Sequence, residues 1–237
     1  MDSLIVYKSE FEKIRIGSDN DGGYIIVDLP TKYDCFISCG VNDDINFEEQ
    51  FISKYGVTCE AFDGTISNIP KHVNNLIFNN INIGIDNTDK TSNLKYLIDK
   101  FTNIMLKMDI ETFEFRWIDI LTKEDLNKFK QIVIEFHFPF DDYSLPNHDI
   151  PTSSDFKMNI LKKISETHYL IHFHPNTAVG TKMYQNYKVP NVFECTYIRK
   201  DCQNNIGYNN ITIPHPLDMK NRVGDNEIYL SGYPFSF

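Results

Sequence analysis

Four side chains, arranged as two pairs, could do chemistry together: Asp109 with Glu111, and Glu135 with His137. Each pair closes an apolar run, Ile104 to Ile110 in the first case and Gln131 to Phe138 in the second. Side chains two apart on a strand share a face. Each pair is therefore expected to point side by side from a strand end, and the two strands are expected to be neighbours. Three carboxylates and an imidazole in one pocket repel one another unless a cation or a proton lies between them. A divalent ion answers that need, with oxygen ligands suiting Mg²⁺ or Mn²⁺ and the imidazole leaning toward Mn²⁺. The competing reading pairs individual acids with Lys107, Arg116 or backbone donors.

A second constellation lies upstream. The run Phe36-Ile37-Ser38-Cys39 ends at Gly40, and Val41-Asn42-Asp43-Asp44 follows. Phe47, Phe51, Ile52 and Tyr55 then recur at helical spacing, and Cys59-Glu60-Ala61-Phe62 ends in Asp63. This is the βαβ opening of a doubly wound sheet, whose ligand crevice lies beyond the strand ends. Asp63 stands about twenty residues after the glycine, where such folds place an acid on ribose hydroxyls. A pyrophosphate binder wants G-x-G-x-x-G, whereas the acids after Gly40 would repel a pyrophosphate. S-adenosylmethionine carries no phosphate, and its positive sulfonium and ammonium tolerate an acidic loop.

The elements that must position these groups follow from the rest of the chain. Asn75 to Ile85 reads as a third strand, Thr91 to Phe101 as an amphipathic helix, and Ile104 to Ile110 as a fourth strand. Thr122 with Asp125 marks a capped helix start, and Gln131 to Phe138 is a fifth strand. Pro139 to Pro151 is a loop of a length that serves function. Phe156 to Ile164 reads as a helix, and His168 to His174 and Val192 to Ile198 as strands. Alternation of strands and helices predicts a mostly parallel sheet. The reading is one domain over 1–237, with 1–30 as an N-terminal extension covering the cofactor pocket. Positions 139–155 form a candidate acceptor lid, and 201–237 an irregular tail.

With 23 basic and 33 acidic residues the chain carries a formal charge of −10, which argues against broad nucleic-acid binding. No apolar run approaches the length of a membrane span, and Met1-Asp2-Ser3-Leu4 does not open a signal peptide. Five cysteines without a C-x-x-C pair read as reduced thiols, with Cys35, Cys39 and Cys59 in apolar runs. The expected setting is cytoplasmic.

Taken in order, several blocks resemble the FkbM-like branch of class I S-adenosylmethionine-dependent methyltransferases. They are Arg15-Ile16-Gly17 with Asn20-Asp21-Gly22-Gly23-Tyr24, then Ser38 to Asp44, then Ala61-Phe62-Asp63. Leu106-Lys107-Met108-Asp109-Ile110-Glu111, Ile134-Glu135-Phe136-His137, His174-Pro175-Asn176 and Glu194-Cys195-Thr196-Tyr197 complete the set. The departures are Gly64, where the family usually has proline, and Thr112, where it usually has glycine. The resemblance implies a Rossmann-like, doubly wound, seven-stranded sheet with an antiparallel last strand. It also implies an O-methyltransferase that often acts on sugar hydroxyls. Position by position, it makes Asp109, Glu135 and His137 ligands of a divalent metal, and Glu111 the base or an additional ligand. His137 is the alternative base. Asp63 would take the ribose hydroxyls, and Asp109 borders the cofactor. Ser38 and Gly40 would line the methionine end of S-adenosylmethionine, and Asp21, Gly22, Gly23 and Tyr24 would cover the pocket.

Other candidates are weaker. His172 and His174 share a strand face and are expected to be satisfied locally. Tyr229, Tyr233, Phe235 and Phe237 read as packing residues, with sugar stacking or closure of a homo-oligomer as alternatives. Asp141, Asp142, Tyr143 and His148 belong to the candidate lid. Two other functions compete with sugar O-methylation. A metal-dependent hydrolase would use the same acids and leave Asp63 idle, and an inactive cofactor-binding scaffold is favoured if Thr112 disrupts the acidic turn.

Overall fold

The computed structural model describes residues 1–142 and 153–237. After a 3₁₀ turn at Asp2–Leu4 comes a hairpin, β1 (Lys13–Gly17) and β2 (Gly23–Val27), followed by β3 (Cys35–Cys39), α1 (Asn46–Tyr55) and β4 (Cys59–Phe62). Next come β5 (Leu76–Asn79), the short β6 (Asn82–Ile83) and β7 (Thr91–Ser92), then α2 (Lys95–Lys100) and β8 (Ile104–Met108). The chain continues through α3 (Glu114–Ile120), α4 (Lys123–Leu126), β9 (Phe129–His137) and α5 (Ser154–Ser165). It ends its regular structure with β10 (His168–Pro175), the hairpin β11 (Thr181–Tyr184) and β12 (Tyr187–Pro190), and β13 (Val192–Arg199).

Seven of these strands form one sheet in the order β10-β13-β9-β8-β3-β4-β5. All pairings from β9 to β5 are parallel, and β13 runs antiparallel to both β9 and β10. The fold is therefore the expected Rossmann-like α/β arrangement, mostly parallel with an antiparallel last strand. Its reversal of winding falls between β3 and β8, so the carboxyl ends of those two strands frame the ligand crevice.

Alternation along the central strands divides the core. Cys35, Ile37, Leu106, Met108, Ile134 and Phe136 pack with α2, α3 and α5 on one face. Phe36, Met105 and Val133 pack with α1 and the β1–β2 hairpin on the other. By the same period of two, Lys107, Asp109, Glu135 and His137 fall on the hairpin side. That face thus carries buried polar groups where a strand core would ordinarily be apolar.

Helix boundaries follow their caps. Ser153 accepts a hydrogen bond from the Phe156 amide and starts α5, while Thr122 and Asp125 form the expected capping box of α4. Gly56, at φ 63°, ends α1. Two expected elements are shorter than their apolar runs. The third strand stops at Asn79, because the Ile81 amide turns back to the Asn79 carbonyl and β6 pairs with β7 instead. That pairing also delays the following helix to Lys95. Two hairpins and α3, absent from the sequence reading, are present.

The tail beyond Cys202 has neither strand nor α-helix, as expected, yet it is not peripheral. Asp218 and Asn221 reach the polar face of β10 and β13, and Phe235 packs on Phe173 with centroids 4.9 Å apart. All five cysteines are free, with Cys35, Cys39 and Cys59 buried. No helix among the described residues is long and apolar enough to cross a membrane.

Candidate active site

A cavity of about 670 Å³ opens at the carboxyl ends of β3, β4 and β8. Gly40, Asn42, Asp63, the 81–84 segment and Asp109 to Phe113 line it. Such a volume is in the range of small-molecule sites. Gly40, at φ 75°, is required here: a Cβ on it would lie 1.7 Å from the Asp109 carbonyl oxygen. The Lys107 ammonium donates to the Gly40 carbonyl at 2.7 Å and lies 5.5 Å from the Tyr24 ring centroid, tying the turn to the hairpin.

Asp63 stands in the cavity wall, but much of its acceptor capacity is already used. Oδ2 accepts from the Asn42 amide at 2.8 Å, and Oδ1 accepts from the amide and hydroxyl of Thr65 at 2.8 and 2.5 Å. Burial raises its carboxyl, and these donors overcome that and lower it below the usual range. The Ile66 amide donates as well, so the roughly four lone-pair sites on a carboxylate are all engaged, and a ligand hydroxyl would share or replace one of these donors. Gly64 has its own reason for lacking a side chain, since a Cβ there would lie 2.5 Å from the Asn82 amide carbon.

Ser38 and the hairpin residues stand elsewhere than expected. Ser38 is fully buried and donates its hydroxyl to Glu48 Oε1 at 2.5 Å beneath α1, so it does not line the cavity. Asp21, Gly22, Gly23 and Tyr24 are not lining residues either. A Cβ on Gly22 would meet Asp44, and Tyr24 donates its hydroxyl to Asp109 Oδ2 at 3.3 Å. Burial, then the charges of Asp109, Glu135, Glu194 and Asp21, raise the Tyr24 phenol well above its usual value. The hairpin therefore meets the acid cluster, one side chain away from the cavity.

The two sequence pairs do converge. Ligand atoms of Asp109, Glu135 and His137 all lie within 4.8 Å of one another. Glu135 and His137 share a face of β9, as the period of two requires. Asp109 and Glu111 reach the cluster differently, because β8 ends at Met108 and Glu111 turns to φ 54°. The Glu111 side chain is 86% exposed, and its Oε2 lies 3.4 Å from His137 Nε2. Thr112, at φ 83°, keeps the turn that glycine would favour, so the acidic corner persists at the cost of backbone strain.

Charge around the cluster is strongly perturbed. Burial first, then Asp109 and Glu194, hold the Glu135 carboxyl well above the usual range, although the Asn176 amide donates to it at 2.7 Å. Burial alone would lower the His137 imidazole, but Glu114, Glu135 and Asp109 push it up to about 10. Asp109 Oδ1 is buried with no hydrogen-bond partner among the described residues. Two carboxylates, one of them with an orphaned buried oxygen, and one imidazole make a donor set that fits Mg²⁺ or Mn²⁺.

Three contributors lay outside the sequence-predicted set of site residues. Glu194 pairs across from Glu135 on β13 and is held by Asn221 at 2.9 Å and His174 at 3.3 Å. His174 is pushed up to about 9, by Glu194 and Asp218 against its own burial. Glu114, the first residue of α3, is fully buried and accepts from His137 Nδ1 at 3.0 Å. Glu114 lies three residues after Glu111, but no helix was anticipated there. His172 is held locally by Asp218, as expected, whereas His174 is held by Glu194 through Nδ1 and its buried Nε2 has no hydrogen-bond partner among the described residues. Of the lid residues, Tyr143 and His148 lie outside the described residues. Asp141 is anchored by Lys182, and Asp142 accepts from the Ser154 amide.

No family model matches the chain, and no curated protein matches it. Among solved structures, one similar chain is a protein from Thermoplasma acidophilum with a provisional methyltransferase description. It is 11% identical, with a TM-score of 0.35 over 73% of this chain and 70% of that one. Another is the antibiotic-resistance methyltransferase Kmr, 9% identical, with a TM-score of 0.37 over 78% of this chain and 99% of that one. At these identities and TM-scores the likeness does not fix an activity.

Proposed function

We propose that this protein is an S-adenosylmethionine-dependent O-methyltransferase acting on a sugar or glycan hydroxyl, assisted by a divalent cation. The observation that carries the reading is the position of Asp109. Its residue lines the ligand cavity on one side and joins Glu135 and His137 on the other. A donor in the cavity and an acceptor at the acid cluster would meet at that residue. A hydrolase would use the cluster but give Asp63 and the cavity no task.

The geometry supports the following roles. Asp63 would hold a ribose hydroxyl, and Gly40 would let the backbone come close to the methionine end. Asp109, Glu135 and His137 would hold the cation. A sugar hydroxyl keeps its proton about as tightly as water does, and a bound Mg²⁺ or Mn²⁺ would supply the charge that loosens it. Glu111 would accept the proton, because its carboxylate is exposed to the acceptor side. His137 would ligate rather than abstract, its Nδ1 being engaged by Glu114 and its Nε2 facing the cluster. In the balanced reaction the methyl passes from sulfonium to the acceptor oxygen, the thioether leaves, and the proton goes to Glu111.

One binding and one turnover measurement test this. S-adenosylhomocysteine should raise the melting temperature, since a ligand specific for the folded state stabilises it. Transfer of labelled methyl to a panel of sugars should stop in excess chelator and return with Mg²⁺ or Mn²⁺. Failure of S-adenosylhomocysteine to bind removes the methyltransferase reading, and turnover that persists in chelator removes the metal.

A further inference from the structure

The structure assigns Glu114 as the positioning residue that sets His137 and the Glu111 turn relative to each other. This rests on the proposed role of the acid cluster. One carboxylate oxygen, Glu114 Oε1, accepts from three donors: the amides of Ile110 and Thr112, each at 3.2 Å, and His137 Nδ1 at 3.0 Å. Ile110 and Thr112 flank Glu111, so the peptide turn that carries Glu111 hangs on the same atom that holds the imidazole. The ring is thereby turned with Nε2 toward Glu111 at 3.4 Å and Asp109 at 3.9 Å.

Three elements meet at this oxygen: the end of β8, the end of β9 and the first residue of α3. The side chain is fully buried, so water does not compete for its donors. The turn it braces has two consecutive non-glycine residues at positive φ, a conformation that needs support from its surroundings. A hydrogen-bond partner on the far nitrogen fixes which imidazole nitrogen faces a metal, and losing one typically costs 10–100-fold in metal affinity or activity.

Glu114→Gln and Glu114→Ala separate the two tasks. The Gln amide oxygen can still accept from the two backbone amides but brings no charge to His137. Glu114→Gln should therefore keep its melting temperature and its S-adenosylhomocysteine affinity within about twofold of wild type. It should lose roughly 10–100-fold in Mn²⁺ affinity and kcat, with little change in KM for the cofactor. Spectra of ¹⁵N-labelled histidine should show the His137 Nδ1 resonance displaced. Glu114→Ala should in addition weaken S-adenosylhomocysteine binding, because Glu111 and Thr112 line the cavity. A Gln variant with wild-type Mn²⁺ affinity and an unmoved His137 resonance would overturn the assignment. If wild-type protein binds neither Mn²⁺ nor S-adenosylhomocysteine, the functional reading fails instead, and the histidine spectra still decide whether Glu114 holds the ring.

Discussion

The α-carbon of Gly40 faces the carbonyl oxygen of Asp109 so closely that a Cβ would stand 1.7 Å from it. The last turn of β3 and the first acid after β8 are thus in backbone contact, joined also by the Asp109 amide donating to the Cys39 carbonyl at 3.0 Å. Gly40→Ala must move one of these strand ends and adopt an unfavourable φ of 75°. Strain and overpacking together should cost on the order of 3–5 kcal/mol. Urea unfolding measures it, and a loss under 1 kcal/mol would show that the strand ends part easily.

Asp63→Ala should weaken S-adenosylhomocysteine binding by about 1–3 kcal/mol. Part of that loss comes from the loop, since the Asn42 and Thr65 amides lose their acceptor. Mn²⁺ affinity should stay near wild type. Calorimetry with unchanged S-adenosylhomocysteine affinity would remove the ribose assignment.

Asp109→Asn keeps the shape of the cluster and removes one of its charges. Methyl transfer should fall by roughly 10²–10³, corresponding to several kcal/mol of lost electrostatic stabilisation. Mn²⁺ affinity should fall with it, while S-adenosylhomocysteine still binds. Electron paramagnetic resonance of added Mn²⁺ reads the metal affinity, and full Mn²⁺ binding by the variant would exclude Asp109 as a ligand.

Thr112→Gly should stabilise the protein. Threonine at φ 83° is strained, and its hydroxyl is buried with no hydrogen-bond partner among the described residues. Relief of strain outweighs the added freedom of glycine in the unfolded chain, for a net gain on the order of 1 kcal/mol. A lower melting temperature for the variant would mean that the turn is held without strain.

His168 makes stability depend on pH. Its ring is buried between the Phe129 carbonyl at 2.9 Å and the Thr167 hydroxyl at 2.8 Å, and burial holds it at about 4. Between pH 6.5 and 4 the unfolded chain binds a proton that the folded chain refuses, so this contribution falls as pH falls. It amounts to about 2 kcal/mol between pH 7 and 5. His168→Gln should therefore lose about 2 kcal/mol less than wild type over that interval in urea unfolding. Equal losses in the two proteins would contradict a neutral buried ring.

Local order in the sequence determined the parallel strands and the acids at their ends. Apolar runs closed by Gly40, Asp63, Asp109 and His137 mark strand ends whatever the partners, because a buried strand needs apolar side chains on both faces. The period of two likewise placed Glu135 beside His137. The same rule put Asp109 on the hairpin side, where Tyr24 meets it, but failed at Glu111, since it assumes an extended backbone where the chain turns to positive φ. Tertiary structure alone decided which polar groups share the buried face. Insertion of β13 between β9 and β10 sets Glu194 against Glu135, and the fold of α3 carries Glu114 under His137. Sequence periodicity reports only a residue's own strand or helix. Partners that meet across 23 positions, as Glu114 and His137 do, or across 59, as Glu135 and Glu194 do, are chosen by strand pairing and by the need to satisfy buried charge.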